Sequence, residues 1–196
     1  MFSRLKTAAA ETPITLVDAK RQIRVEEAST AYDDDLKRII KSATRWAETF
    51  TGRALISQTW ELTLNGFPKA ELVLPRPPLI DVASINYIDR DGVDTLLPAN
   101  QYRIIGKGAN MACGVLEPAF GTCWPVPMSG RGVVTIEFTA GYGDAATDIP
   151  PDIQQALLLV VGRSNEHRED AVTGTISSKV PFDAEDLVDV YRVVNL

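Results

Sequence analysis

Histidine is almost missing from this 196-residue chain. His167 stands alone, which excludes a multi-histidine metal site and a histidine pair. Cysteine is nearly as scarce. Cys113 and Cys123 are the only two, and their spacing matches no metal or redox motif. A long apolar run is missing as well: the longest candidate, Ala156 to Val161, is six residues, whereas a membrane helix needs roughly 18 or more. There is no excess of basic charge. The formal charge of -6 and pI near 4.9 argue against non-specific DNA binding and against a DNA-binding packaging partner. The N-terminal MFSRLKTAAAETP lacks the apolar core of about 7 or more residues that a signal peptide needs. It is expected to be a flexible lead-in, with both thiols reduced in a cytoplasmic compartment.

Catalytic motifs are also wanting. The chain has no G-x-S-x-G, Walker loop or G-x-G-x-x-G, and GKG at Gly106–Gly108 is too short for a phosphate loop and reads as a turn. Carboxylates are plentiful, but Asp33–Asp35 fit a helix start and Asp89 and Asp91 fit a turn. A nucleophile pair of Cys113 or Cys123 with His167 lacks any local motif, and His167 lies in the charged string RSNEHRED. These absences weigh against an enzyme and imply no cofactor and no metal.

What the chain does contain is a clear order of elements. T-L-V-D at Thr15–Asp18 resembles a capping box, with Leu16, Ala19 and Ile23 on one helical face. A second helix follows the acidic cap at Asp33–Asp35. Its apolar stripe is Leu36, Ile39, Ile40, Ala43, Trp46, Ala47 and Phe50, and Gly52 is the expected left-handed cap. A third helix starts after DIPP (Asp148–Pro151) and runs through ALLLVV to about Glu169. Its apolar residues cover more than one face. Either the fold buries it on most sides or Leu158, Leu159 and Val161 meet another subunit; the scarcity of layers in so short a chain favours the second.

Residues 57–140 change character. TWELTLN alternates, with Trp60, Leu62 and Leu64 on one side, and ELVL, SINYID, QYRII and VVTIEF are further strand candidates separated by turn-rich pieces. PRPP, Pro75–Pro78, reads as a rigid connection between strands. The expected fold is therefore α+β. A helical core of three main helices (14–56 plus 141–170) carries an inserted antiparallel β-rich region (57–140), flanked by a flexible 1–13 and an extended C-terminal arm (171–196). In that arm Asp183 is placed to cap a short helix with Leu187, Val190, Tyr191 and Val194 on one face. Such a tail either folds back on its own domain or docks into a partner.

One stretch invites a false reading. TAGYGD, Thr139–Asp144, differs by one residue from a potassium-channel filter, but a filter needs membrane helices to hold it and no span flanks this one. It reads instead as a junction between strand VTIEF and the third helix, where Gly141 and Gly143 let the backbone turn.

Taken together, Q-I-R-V (Gln22–Val25), TGRALISQTWELTL (Thr51–Leu64), LPRPPLIDVASINYID (Leu74–Asp89), Trp124-Pro125 and VTIEFTAGYGDAATDIPPDIQQALLLVV resemble the head–tail connector (adaptor, or head completion) family of tailed bacteriophages, also found in prophages and gene transfer agents. The likeness covers roughly Ile14 to Asp170, and VYRVVNL at the end resembles the family's Y-R-containing terminus. The resemblance implies a dodecameric ring below the portal protein, in the virion neck, assembled in the bacterial cytoplasm. Such a ring extends the DNA channel, lets DNA pass without specific binding, and offers a surface to the next neck or tail (stopper) component. It also implies that the C-terminal arm grips the portal through Phe182, Leu187, Val190, Tyr191, Arg192, Val193 and Val194. The alternatives are another neck part, such as a stopper, or a small cysteine-dependent hydrolase.

Overall fold

A computed structural model describes residues 1–69, 71–110, 113–166 and 183–193. The chain divides into a β unit (Met1–Ala10 and Ile56–Asp144) and a helical unit (Glu11–Leu55 and Ala145–Leu196).

The β unit is built on a five-stranded antiparallel sheet in the order β1-β2-β8-β4-β5: β1 Phe2–Thr7, β2 Gln58–Leu64, β8 Val134–Ala140, β4 Leu79–Ile88 and β5 Asp94–Leu96. Its centre obeys the period-2 rule. Trp60, Phe138 and Val82 share one cross-strand row, and Leu62, Ile136 and Ile85 share the next. Leu62, Ile85, Ile136 and Phe138 are fully buried, each contributing about 1.5–3 kcal/mol. The opposite face carries Thr59, Thr63, Thr135 and Thr139 with Glu61, Glu137 and Ser84. A smaller three-stranded sheet, β3 (Leu72–Val73), β7 (Val115–Pro118) and β6 (Tyr102–Ile105), turns Leu72 and Leu116 inward. PRPP lies between β3 and β4, as a connection between strands.

The N-terminal segment corrects an expectation. Phe2–Thr7 is an edge strand and not a flexible lead-in. Its side chains are all exposed, so apolar burial does not hold it there. In the β2–β8 register Glu61 and Glu137 stand directly opposite each other, a like-charge pair that costs stability. Strand β1 relieves it: Arg4 donates to both oxygens of Glu61 at 2.8 and 3.0 Å, and Lys6 pairs with Glu137 at 2.5 Å.

Asp89 organises the turn between β4 and β5. Its Oδ1 accepts from the amides of Asp91 (2.9 Å) and Val93 (3.0 Å), and its Oδ2 accepts from the Thr95 hydroxyl. These bonds, the Val93 amide first, hold the carboxyl below the usual carboxylate range. A depressed folded value means the turn gains stability above the ordinary Asp value of about 4 and loses it as pH falls through the lower folded value. In an NMR titration the Val93 and Asp91 amides should move with an apparent pKa below about 3.9. An ordinary Asp89 titration would contradict this account.

In the helical unit, α1 (Leu16–Gln22) is capped as its sequence predicts, with Thr15 Oγ1 accepting from the Asp18 amide at 3.1 Å. Helix α2 (Asp33–Thr51) begins differently from expectation. Its N-cap is Tyr32, without a side-chain cap bond, so the three aspartates contribute first-turn charge and no cap. Asp33 instead faces Lys20 at 2.7 Å. Gly52 closes the helix in the left-handed region at φ 74°, as expected. Helix α3 (Pro151–Glu166) opens behind Pro150, whose carbonyl accepts from Ile153 at 3.0 Å. A short α4 (Ala184–Asp189) completes the unit.

Candidate docking surfaces

The helical unit presents its own tail. Asp183 caps α4 as predicted, in a reciprocal capping box: its Oδ1 accepts from the Ala184 amide, while Asp186 Oδ2 accepts from the Asp183 amide at 3.2 Å. Arg163 of α3 pairs with Asp183 at 2.8 Å. Ala184 and Val188 are buried as α4 packs against α3 and α2.

The chain beyond α4 is held largely by polar contacts. The buried Arg53 donates through Nε to the Tyr191 carbonyl. The Tyr191 hydroxyl bonds Asp152 at 3.2 Å, and burial followed by that carboxylate pushes the hydroxyl's pKa up. The Val193 amide donates to the Thr51 carbonyl at 2.8 Å, and the Arg192 guanidinium lies 5.4 Å from the centre of the Phe50 ring. A Cβ on Gly52 would stand 3.4 Å from Val193, so this glycine serves both the helix cap and the passage of the tail.

Residues 183–193 lie on their own unit. Of the arm residues, Leu187 is half-buried, Tyr191 and Val193 are engaged through main and side chain or main chain alone, and Arg192 is exposed above Phe50. Val190 has 73% of its surface exposed, and Glu185, Asp186 and Asp189 are exposed as well. Phe182, Val194 and His167 lie outside the described residues.

Helix α3 packs against α1, α2 and α4 within its own unit. Val161 is enclosed and offers no surface, whereas Leu158 and Leu159 are half-buried. The tail supplies the extra layer that chain length alone made improbable. Beside it, Trp46 stacks on Phe50 at 5.8 Å, and both rings line an open hollow with Ser42, Arg45 and Thr49. Trp46 is thus half-buried at a surface and not a core residue.

The two motifs quoted from the sequence acquire reasons. In TGRALIS, Thr51, Gly52 and Arg53 receive the tail, and Ala54 and Leu55 are buried. In the β unit, Ile56 and Ser57 meet TAGYGD: Ile56 forms a parallel bridge with Gly143, and the Ser57 amide donates to the Gly143 carbonyl at 2.8 Å. Asp148 Oδ2 accepts from the Ala145 amide at 3.0 Å and closes the turn into α3. Sequence reasoning passed over Arg53 and Lys20. Both are buried charges, and their only sequence signal is a basic residue where a packed apolar one is expected.

Among the described residues no three His, Cys, Asp or Glu are grouped to hold a metal, and no helix is long and apolar enough to cross a membrane. Among the described residues, the carboxylates named above serve a helix cap, turns and ion pairs, and each edge strand of the main sheet pairs on one side only.

The chain belongs to the head completion protein family, whose model matches residues 14–194. Its fold is shared with a chain of the virion of a native gene transfer agent (GTA) particle, at 28% identity and TM-score 0.82 over 100% of this chain and 97% of that one. A chain from the neck of an empty GTA particle, computed with C6 symmetry, matches at 27% identity and TM-score 0.82 with the same coverage. One from the neck of a native GTA particle, computed with C12 symmetry, matches at 26% identity and TM-score 0.77, again with that coverage. No curated protein matches the sequence.

Proposed function

We propose that this chain is a non-catalytic structural part of the neck of a phage-like particle. It forms a dodecameric ring below the portal, extends the DNA channel and presents the docking surface for the next neck or tail component. The carrying observation is the whole-length likeness to chains of GTA virions and necks, within the head completion family. The C6 and C12 symmetries of those necks support a ring of twelve. The net charge of -6 suits a channel through which DNA slides, since like charge weakens phosphate contacts.

Portal binding falls to the free face of α4 and the residues after it. Val190 is the apolar anchor on a segment whose exposed residues include Glu185, Asp186 and Asp189. Val190→Glu should leave thermal stability within about 0.5 kcal/mol, because the side chain is exposed. It should nonetheless reduce incorporation into portal-containing heads about tenfold or more, as loss of an interface anchor does. Truncation after Val180 should abolish incorporation. Normal attachment of both variants would sink the portal assignment, and attachment only to a pre-formed neck would favour a stopper. Replacing Cys113 and Cys123 together by serine should leave particle assembly intact; loss of function in that folded variant would reopen the hydrolase reading.

A further inference from the structure

The large apolar side chains exposed on the main sheet gather at its two ends. On β1, Phe2 is 60% and Leu5 44% exposed; on the β4–β5 hairpin, Val93 is 57% and Leu96 59% exposed. The order β1-β2-β8-β4-β5 puts these pairs on opposite edges of one sheet. Between them the outer face is polar, with Thr59, Thr63, Thr135 and Thr139. Among the described residues, β1 pairs only with β2 and β5 only with β4, so each edge keeps a row of backbone groups facing outward.

The charges guarding the two edges differ in sign. Strand β1 carries Arg4 and Lys6 and no acid, while the hairpin carries Asp89, Asp91 and Asp94 against Arg90. Arg4 and Lys6 are already committed to Glu61 and Glu137, and Asp89 to its turn, so the remaining attraction is moderate. Two acidic hairpins repel, whereas a β1 edge, which carries no acid and whose cations are paired with Glu61 and Glu137, accepts a hairpin without that penalty. A contact between two different patches of identical copies is heterologous, and its repetition closes a ring or runs on as a filament.

We propose that neighbouring subunits join through this pair of edges: the β1 edge of one copy, with Phe2 and Leu5, meets the β4–β5 hairpin of the next, with Val93 and Leu96. This rests on the ring reading above and names the surface that builds it. The occupant is a second copy of this chain, because each edge carries an exposed apolar pair and a row of outward backbone groups, and the β1 edge lacks the acids that would repel the hairpin.

Cysteine cross-linking tests it on the full chain carrying Cys113→Ser and Cys123→Ser. Leu5→Cys together with Leu96→Cys should, on oxidation of assembled necks, give a ladder of covalent multimers in steps of the 21.4 kDa chain. Either cysteine alone should give monomers. In parallel, Leu96→Glu should lower the yield of rings in particles about tenfold or more with the far-UV spectrum unchanged. Intact rings from Leu96→Glu and no ladder would overturn the edge contact while leaving the ring in place. A dimer from Leu5→Cys alone would overturn it in favour of a two-fold edge contact. Wild-type particles whose necks hold no ring of this chain would overturn the proposed function itself.

Discussion

Replacing Lys20 by methionine is expected to destabilise the helical unit by about 3 kcal/mol, through loss of a buried charge that fastens α1 to the start of α2. The Lys20 side chain is almost wholly enclosed, and its ammonium has three partners. It donates to the carbonyls of Glu27 at 3.0 Å and Ser29 at 2.7 Å and pairs with Asp33 at 2.7 Å. That matches the three donors of an ammonium, so the group is satisfied in place. Methionine fills the same volume but donates nothing, which leaves two carbonyls and a carboxylate without their partner. The opposite deletion, Asp33→Asn, keeps both carbonyl bonds and an acceptor oxygen but leaves the enclosed ammonium without its counter-charge, so it should cost less, about 2 kcal/mol. Helical unfolding followed at 222 nm should show a Tm lowered by roughly 6–12 °C for the first variant, at 2–4 °C per kcal/mol. Equal losses from the two variants, or none from Lys20→Met, would show that the clamp does not act as described.

Gly141→Ala should be comparably severe in the β unit. Gly141 has φ 143°, in a region that side chains rarely enter, and an added Cβ would lie 2.6 Å from the Ile56 carbonyl carbon and the Ser57 nitrogen. Those are backbone atoms and cannot swing aside. The strain plus the broken bridge to Gly143 should cost about 3 kcal/mol or more. Gly92 provides the control. It also has a positive φ, 82°, but nothing lies within 4 Å of its missing Cβ. Gly92→Ala should therefore cost only about 1 kcal/mol, the price of conformation without collision. Urea unfolding followed by tryptophan fluorescence separates the two, and a Gly141→Ala loss no larger than that of Gly92→Ala would refute the close-approach argument.

These residues show where sequence reading succeeds and where it stops. The helix α2, its Gly52 cap, the Asp183 cap and the alternating strand β8 were legible because each depends on neighbours within a few positions. A 3.6 or 2 residue period and a cap are local facts. Strand β1 was illegible for the opposite reason. Nothing in SRLKT is buried, and what holds it is a pair of glutamates, Glu61 and Glu137, brought side by side by strands far apart in the chain. The same holds for Lys20, whose acceptors are backbone carbonyls, and for Arg53, which waits for Tyr191 from the far end of the chain.

The sequence by itself determined the α+β class, the places where helix gives way to sheet and back, and the likeness to head completion proteins. Short-range periodicity, turn chemistry and specific strings such as TGRALISQTW and FTAGYGD carry all three. Only the tertiary structure decided where residues 183–193 lie, which residues of α3 are enclosed and which strand forms the edge. Those outcomes turn on which surface is covered first, and covering is a competition among segments distant in sequence. Arg53, Thr51 and Asp152 hold residues 191–193 on their own unit, and among the described tail residues Val190 is the large apolar side chain left exposed.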